Sequence, residues 1–220
     1  MTYCILIPSY NAEKTLGAVI QDCLVAGVPV VVVDDGSVDG TAGVAARFPV
    51  TVLKHEHNRG KGCALRTGFS WALGHAFDAV ITLDADGQHD PSSVGRLYEA
   101  AREKGIDLLI ASRHSQFEKM AGLRAFWNRF GVWCMRKRTG FEITDSQSGF
   151  RCYSRALLAA VTLHADGYDL EMELLMKAWR GGFTIGSLPI PARVADGRAT
   201  SHFRPVRDTW RICKIFLRHM

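Results

Sequence analysis

The chain has 220 residues, of which 47% are hydrophobic and 22% charged, and its net charge at pH 7 is +5. This length predicts one domain, or one domain with a small appendage, and the balanced composition excludes collagen, coiled coil and low-complexity disorder. No apolar run approaches the ~20 residues of a membrane-spanning helix. The N-terminal residues have no basic segment and reach a proline early, so we expect neither a signal peptide nor a secreted protein.

The first half of the chain alternates short apolar runs with helical patterns. The runs are rich in β-branched residues and predict strands at 3–8, 28–34, 50–55, 79–84 and 107–112. The intervening patterns predict helices near 14–26, 41–47, 61–76 and 91–104. Asp90 followed by Pro91 is typical of a helix start. Because strands and helices alternate, we predict an α/β fold with a Rossmann-like, mostly parallel sheet and flanking helices.

After residue 112 the pattern changes to aromatic-rich helical segments, followed by a strand near 150–153, a helix near 170–180 and a strand near 184–188. Lys and Arg are concentrated at 113–138 and 193–220, so the rest of the chain is acidic overall. Such basic segments indicate an anionic partner. The chain contains no motif for binding DNA or RNA. We therefore expect phospholipid or a phosphorylated substrate, and no nucleic acid.

Polar residues follow three of the predicted strands. The segments are PSYN at 8–11, DDGSVDGT at 34–41 and DADGQ at 84–88. In open α/β sheets, ligands bind beyond the carboxyl ends of the strands. One cleft should therefore gather all three segments.

Asp84 and Asp86 are candidate metal ligands. On a segment that is still extended, carboxylates at i and i+2 project to the same side, and the amide of Gln88 follows. Oxygen ligands of this kind suit Mg²⁺ or Mn²⁺, and Mg²⁺ usually also binds substrate phosphates. For this pair alone, a turn of aspartates at a strand end is an equally good interpretation. His89 follows Gln88 and could approach the site, but it is interpreted as a surface residue at the helix entry. Glu171 and Glu173 are interpreted as acids that suit a helix N-terminus.

Two further segments suit a nucleotide. DDGS at 34–37 offers carboxylates to a base or ribose beside a glycine that permits close backbone approach. NRGKG at 58–62 places glycines and two cations at a helix start, which suits phosphate although the Walker spacing is absent. Taken alone, DDGS is better explained as a loop of turn-forming residues in which Asp39 caps the next helix. The segment NRGKG by itself is only a weak signal for phosphate.

Together and in order, the segments resemble the GT-A glycosyltransferases of family 2, and within them the polyprenyl- (dolichyl-) phosphate mannose or glucose synthases. The matching segments are IPSYN at 7–11, VDDGSVDGT at 33–41, NRGKGCA at 58–64, LDADGQHDP at 83–91, SR at 112–113 and DSQSGFR at 145–151. The chain departs from the pattern at Ala12, where the family usually has glutamate, and only loosely matches its late R-x-x-G-x-S element at 193–201. We also expect none of the C-terminal membrane spans that some relatives have.

The resemblance implies a metal-dependent, inverting transfer of a sugar from a nucleotide sugar of the GDP-mannose or UDP-glucose type to polyprenyl phosphate. It implies that Mg²⁺ or Mn²⁺ is held by Asp86 and Gln88, with Asp84 as a further ligand or a ribose contact. It implies the following contacts with the nucleotide-sugar donor: Pro8, Tyr10, Asp34, Asp35, Lys61, Asp84 and Asp86. The catalytic residues that it implies are Asp86, Arg113, Asp145 and Arg151. An F-x-x-E-type position of the family also implies a site contact at the acidic pair Glu171 and Glu173.

The acceptor determines which chemistry is needed. A polyprenyl phosphate is already anionic and requires no general base, but it requires cations, for which Arg113, Arg151 and Arg193 or Arg198 are candidates. Asp145 is interpreted as an orienting residue and is the alternative base. A family 2 transferase with a saccharide or other hydroxyl acceptor, and a non-catalytic nucleotide-sugar-binding module, remain open. So do the sugar and the nucleotide base.

We divide the chain into a glycosyltransferase domain at 1–203 and a basic amphipathic helix at 204–220. This tail has a stripe of cations at helical spacing, formed by Arg207, Arg211, Lys214 and Arg218. The segment 119–138 mixes aromatic residues with cations, and such helices can lie in a membrane interface or pack on the domain.

We expect a cytoplasmic protein that is peripheral at the inner face of the membrane. A partner subunit with its own membrane span could add to its attachment. The six scattered cysteines, without a C-x-x-C pair, fit a reducing compartment.

Overall fold

The computed structural model describes residues 2–112 and 148–191 and, near the C-terminus, 211, 214 and 215. In this part of the chain the strands are β1 (Tyr3–Ser9), β2 (Val30–Asp34), β3 (Thr51–Lys54), β4 (Ala79–Thr82), β5 (Leu108–Ser112), β6 (Arg151–Ser154) and β7 (Ile185–Pro189). The helices, numbered along the same residues, are α1 (Leu16–Leu24), α2 (Thr41–Ala45), α3 (Lys61–Leu73), α4 (Val94–Glu103), α5 (Arg155–Ala160) and α6 (Leu170–Arg180).

The strands form one sheet in the order β3-β2-β1-β4-β6-β5-β7. Only β6 runs antiparallel to its neighbours β4 and β5, and the other pairs of this sheet are parallel. From β1 the chain continues to β2 and β3 on one side and then crosses to β4 on the other. The carboxyl ends of β1 and β4 therefore flank the point where the strand order reverses, which is where such sheets bind ligands.

The sheet is covered by helices on both faces. One core contains Leu6, Val31 and Val33 from the strands, with residues of α3, α5 and α6. The other contains their neighbours Ile5 and Val32, with residues of α1 and α4. Because alternate strand residues point to opposite faces, consecutive apolar residues supply both cores. The predicted α/β architecture is confirmed.

Two local features differ from the predictions. β4 ends at Thr82, so the chain leaves the sheet before Asp84. The short helix α5 was not predicted, and Ser154 caps it by accepting a hydrogen bond from the Leu157 amide at 3.1 Å. The predicted helix start at Asp90 is confirmed, since its side chain accepts a hydrogen bond from the Ser92 amide. The aromatic-rich segment 119–138 lies outside the described residues.

Two of the described tail residues contact the domain. Ile215 packs against the core that contains α6, and Arg211 Nε lies 3.4 Å from Asp169 Oδ2. Across the described ranges, we find no helix with the length and apolar character needed to cross a membrane.

Candidate active site

A cluster of charged side chains lies beyond the carboxyl end of β4. Lys61 begins α3, and its Nζ lies 2.7 Å from Asp84 Oδ1 and 3.2 Å from Glu171 Oε1. The Tyr168 ring faces the same ammonium, with 5.4 Å between Nζ and the ring centroid. Burial lowers the pKa of Lys61, but the charges of Asp84 and Glu171 outweigh this and hold the pKa well above its ordinary value. Lys61 is therefore protonated throughout the physiological pH range.

The second oxygen of Asp84 faces His89, whose Nε2 lies 3.3 Å from Oδ2. Burial raises the pKa of Asp84, but Lys61 and His89 lower it more strongly, so it falls far below its usual range. Asp84 is thus a carboxylate anion held between two donors. His89 is only 3% exposed and packs on Phe150, so the interpretation of this histidine as a surface residue was wrong. Gly87, with φ of 73°, turns the loop back at this point.

Asp86 is the second carboxylate of this loop. Its Oδ1 accepts a hydrogen bond from the Gln88 amide at 2.9 Å. Burial and the charge of Asp84 raise its pKa, which is the situation that a nearby divalent cation relieves. The expected extended geometry was wrong, because 85–86 form a turn.

The donor chemistry of this loop fits Mg²⁺ or Mn²⁺. Asp86, Gln88 and Asp84 offer the hard oxygen atoms that these ions prefer. Asp84 differs from Asp86 in that Lys61 already neutralises it. The loop thus offers two carboxylates and one amide, and within the described ranges no third His, Cys, Asp or Glu side chain joins them in a metal-holding group.

Asp34, at the end of β2, has a buried oxygen without a partner. The residue is fully buried, and its Oδ1 accepts a hydrogen bond from the Ser37 amide at 3.1 Å. Its Oδ2 has no hydrogen-bond partner among the described residues. Unpaired buried carboxylate oxygens are rare in folded proteins. Asp34 therefore retains an acceptor at the edge of the sheet where a ligand is expected.

Asp35, in contrast, is used within the protein. Its Oδ1 lies 2.6 Å from His55 Nδ1 and accepts from the Arg59 amide at 3.0 Å, while its Oδ2 accepts from the Gly60 amide at 2.7 Å. These bonds fix the loop that precedes α3. With both oxygens engaged, Asp35 shapes the site, and its predicted contact with the donor stays a prediction.

The backbone amides at the start of α3 are also engaged. The amides of Gly62 and Cys63 donate to the Asp166 carbonyl at 2.8 and 3.2 Å. Gly60 has φ of 99°, and a Cβ there would overlap the same carbonyl. The loop that precedes α6 therefore occupies these two amides, and the predicted contact of this segment with phosphate stays a prediction. The Lys61 ammonium is the cation that this segment places in the site.

Comparison with known proteins identifies the family. The family described as "Glycosyl transferase family 2" matches residues 4–161. The chain belongs to this family. It is 35% identical over 199 residues to the undecaprenyl-phosphate mannosyltransferase of Micrococcus luteus, covering 84% of this chain and 81% of that protein. It is 31% identical over 202 residues to the polyprenol monophosphomannose synthase of Mycolicibacterium smegmatis, covering 84% and 75%.

The fold of this family 2 glycosyltransferase is also found in solved structures. A glucosyl-3-phosphoglycerate synthase from Mycobacterium tuberculosis, crystallised with Mn²⁺, UDP and glucosyl-3-phosphoglycerate, matches it with a TM-score of 0.77 and 23% identity. The match covers 99% of this chain and 79% of that chain. The GT-A fold and the glycosyltransferase class predicted from the sequence are confirmed.

Arg151 is deeply buried in this glycosyltransferase. Its side chain has no exposed surface, and it donates from Nε to the Ser148 carbonyl at 2.7 Å and from Nη1 to the Glu171 carbonyl at 3.0 Å. These bonds join β6 to the start of α6 and so hold Glu171 beside Lys61. The structure gives Arg151 a positioning role, and its predicted contact with an acceptor phosphate stays a prediction.

The remaining predicted residues are divided between described and undescribed parts of the glycosyltransferase. Pro8 is buried in β1 opposite Val33, and Tyr10 is half-buried just beyond the strand. The predicted residues that lie outside the described ranges are Arg113, Asp145, Arg193 and Arg198.

Proposed function

We propose that this glycosyltransferase moves a sugar from a nucleotide sugar to polyprenyl phosphate, with Mg²⁺ or Mn²⁺ as its metal ion. The observation that supports this most strongly is the similarity to two proteins named for mannose transfer to polyprenol and undecaprenyl phosphate. Each similarity extends over 84% of this chain and at least 75% of the relative. Agreement over that length extends well beyond a nucleotide-binding segment.

The donor would lie across the carboxyl ends of β1, β2 and β4. The unpaired Oδ2 of Asp34 suits an N–H group of a uracil or guanine base, since a new partner would satisfy a buried acceptor. Lys61 suits the diphosphate, because its ammonium is permanently charged and partly shielded from water.

Asp86 and Gln88 would hold the metal ion, with Asp84 as the second carboxylate. When bound, such a cation stabilises the negative charge that develops on the departing diphosphate. The raised pKa of Asp86 supports this assignment, because a cation favours the ionised form of a buried carboxyl group.

A polyprenyl phosphate acceptor would attack with an oxygen that is already ionised. The protein then needs cations to hold the acceptor, and no side chain has to remove a proton. We assign the holding role to Arg113, and an orienting role to Asp145.

The test is a screen of donors against two classes of acceptor. With a short-chain polyprenyl phosphate, we expect transfer from a GDP-mannose or UDP-glucose type donor in Mg²⁺ or Mn²⁺, and none in excess chelator. Transfer only to a saccharide would contradict the lipid acceptor. A full rate in chelator would contradict the metal assignment.

A further inference from the structure

Lys61 is placed between two carboxylates, and one of them belongs to the proposed metal site. Its Nζ is 2.7 Å from Asp84 and 3.2 Å from Glu171, and the three side chains are only 15%, 26% and 7% exposed, in the order Lys61, Asp84 and Glu171. Ion pairs with this degree of shielding are screened less by salt than pairs at the surface.

We propose that Lys61 is the internal counter-ion of Asp84 in the metal-free enzyme, that a divalent cation displaces it from Asp84, and that Glu171 retains it afterwards. This inference rests on the metal dependence of the proposed function. It adds an exchange of cations at one carboxylate, and it gives Glu171 the role of a positioning residue.

Both oxygens of Asp84 already have a partner. Oδ1 contacts the Lys61 ammonium, and Oδ2 faces Nε2 of His89 at 3.3 Å. Each oxygen therefore already has a positively polarised neighbour. A divalent cation bound to Oδ1 would lie within a few ångströms of a full positive charge, and the repulsion at that distance is strong. Binding to Asp84 therefore requires Lys61 to move away from it.

Glu171 can hold Lys61 after the lysine has left Asp84. Glu171 is buried in the first turn of α6, and its carbonyl is fixed by the fully buried Arg151. The Tyr168 ring also faces the ammonium, and aromatic faces attract cations. The lysine can leave Asp84 without entering solvent, and it stays beside the position where the donor phosphates are expected.

The consequence is that Lys61 opposes metal binding in the donor-free enzyme, although it assists the reaction. Isothermal titration calorimetry of the donor-free protein with Mn²⁺ measures the dissociation constant of the metal ion directly and needs no turnover. We expect Lys61→Met to lower the dissociation constant about tenfold, because one contact charge is removed from Asp84. Glu171→Gln should raise it severalfold, since Lys61 then has Asp84 as its remaining anionic partner.

The matched controls separate contact from net charge. Lys54→Met removes the same charge from an exposed position at the end of β3, and it should change the dissociation constant less than about twofold because exposed charges are screened. Lys61→Arg keeps the charge and should bind Mn²⁺ like the wild type. Because Lys61→Met removes the cation that Asp84 and Glu171 share, Lys61→Gln is measured beside it. Both variants should regain thermal stability with Mn²⁺ to a greater degree than the wild type.

The outcomes distinguish this inference from the proposed function. Suppose that wild type and the folded variants Lys61→Met and Lys61→Gln bind Mn²⁺ equally, and that Asp86→Asn abolishes this binding. That result overturns the counter-ion role of Lys61 and leaves the metal site intact. Mn²⁺ binding that does not depend on Asp86 overturns the metal assignment and this inference together.

Discussion

Gly149 lies against the Asp84 carboxylate, so closely that a Cβ at this position would overlap both carboxylate oxygens. The Gly149 carbonyl accepts a hydrogen bond from Thr82 Oγ1 at 2.8 Å, which fixes the backbone at this point. We expect Gly149→Ala to displace Asp84 and to lower kcat/KM by about 10²-fold, the usual effect of a misplaced catalytic group. Steady-state kinetics measure this effect.

Gly95→Ala is the matched control for Gly149→Ala, because a Cβ at Gly95 in α4 would meet nothing within 4 Å. It should keep full activity and gain up to ~1 kcal/mol of stability, the usual effect of alanine in a helix. Equal activity of the two variants would contradict the close packing of Gly149 and Asp84.

Arg151 holds two backbone carbonyls, and its replacement tests that role. If it acts by holding the Ser148 and Glu171 carbonyls, Arg151→Ala should lower kcat and disturb the KM of donor and acceptor alike. It should also lower the free energy of unfolding by about 2–4 kcal/mol, because two buried carbonyls lose a charged donor. A stable variant in which only the acceptor KM rises would instead support direct contact with the acceptor phosphate.

Some residues of the cluster could be predicted from the sequence and others could not. Asp84 and Asp86 lie in one short motif after a strand, so local pattern and strand-end topology suffice. Glu171 is 110 residues away from Lys61 along the chain, and their contact depends on how α6 packs against α3. His89 is adjacent to the motif, but its burial depends on the Phe150 ring. Contacts that depend on tertiary packing have no characteristic residue spacing in the sequence, so they cannot be predicted from it.

Among the helices and loops, the buried carboxylate of Glu173 helps to hold the loop between α5 and α6. Glu173 accepts hydrogen bonds from the amides of His164 and Ala165, at 3.0 and 2.8 Å, and from Lys177 Nζ at 2.7 Å. Burial raises the pKa of Glu173, but Lys177 and the two amides lower it further, so that the net shift is downward. Glu173 thereby fixes the loop whose Asp166 carbonyl covers the start of α3.

We expect Glu173→Gln to lower the free energy of unfolding by about 1–3 kcal/mol at pH 7, since charge-assisted hydrogen bonds are lost. Because the pKa of Glu173 is lower in the folded state, its contribution is present above the ordinary glutamate pKa of ~4.3 and is lost as the pH falls through the folded value. The difference from wild type should therefore shrink below about pH 4. Urea unfolding at several pH values measures this, with the exposed Glu103→Gln in α4 as control. A difference that is independent of pH would contradict it.

The elements themselves were largely predictable, and their directions were not. β2 is buried at all five positions, so its unbroken run of valines and an aspartate marks a central strand. The antiparallel insertion of β6 between β4 and β5 was not predicted, because an apolar run has the same pattern in either direction. The end of β4 at Thr82 was missed because Leu83 continues the apolar run after the sheet has ended.

The C-terminal tail can pack on the domain or bind a membrane surface. Arg211 is paired with Asp169, and Ile215 packs against the core. These contacts place the described residues Arg211 and Ile215 against the domain. Membrane binding through the cationic stripe stays a prediction, and Lys214, which is exposed, would face the lipid.

Co-sedimentation with liposomes tests the membrane prediction. We expect binding to vesicles that contain anionic lipid and weaker binding as salt rises, since each nearby Lys or Arg contributes about 1 kcal/mol and salt screens it. Replacement of the stripe by glutamine at Arg207, Arg211, Lys214 and Arg218 should reduce binding, with neutral vesicles as control. Binding that ignores both salt and these substitutions would show that the tail is only a packed helix.

We propose that Asp84 and Asp86, the carboxylates beyond β4, support transfer of a sugar to polyprenyl phosphate. The most direct measurement is mass spectrometry of the lipid products that purified wild type and Asp86→Asn form from a nucleotide sugar and polyprenyl phosphate in Mn²⁺. We predict a glycosylated polyprenyl phosphate from the wild type, and at least about 10³-fold less from Asp86→Asn at equal folded content, because a metal-ligating carboxylate is removed. Equal product from the two proteins, or no glycosylated lipid from the wild type with either a GDP- or a UDP-sugar, would contradict the claim.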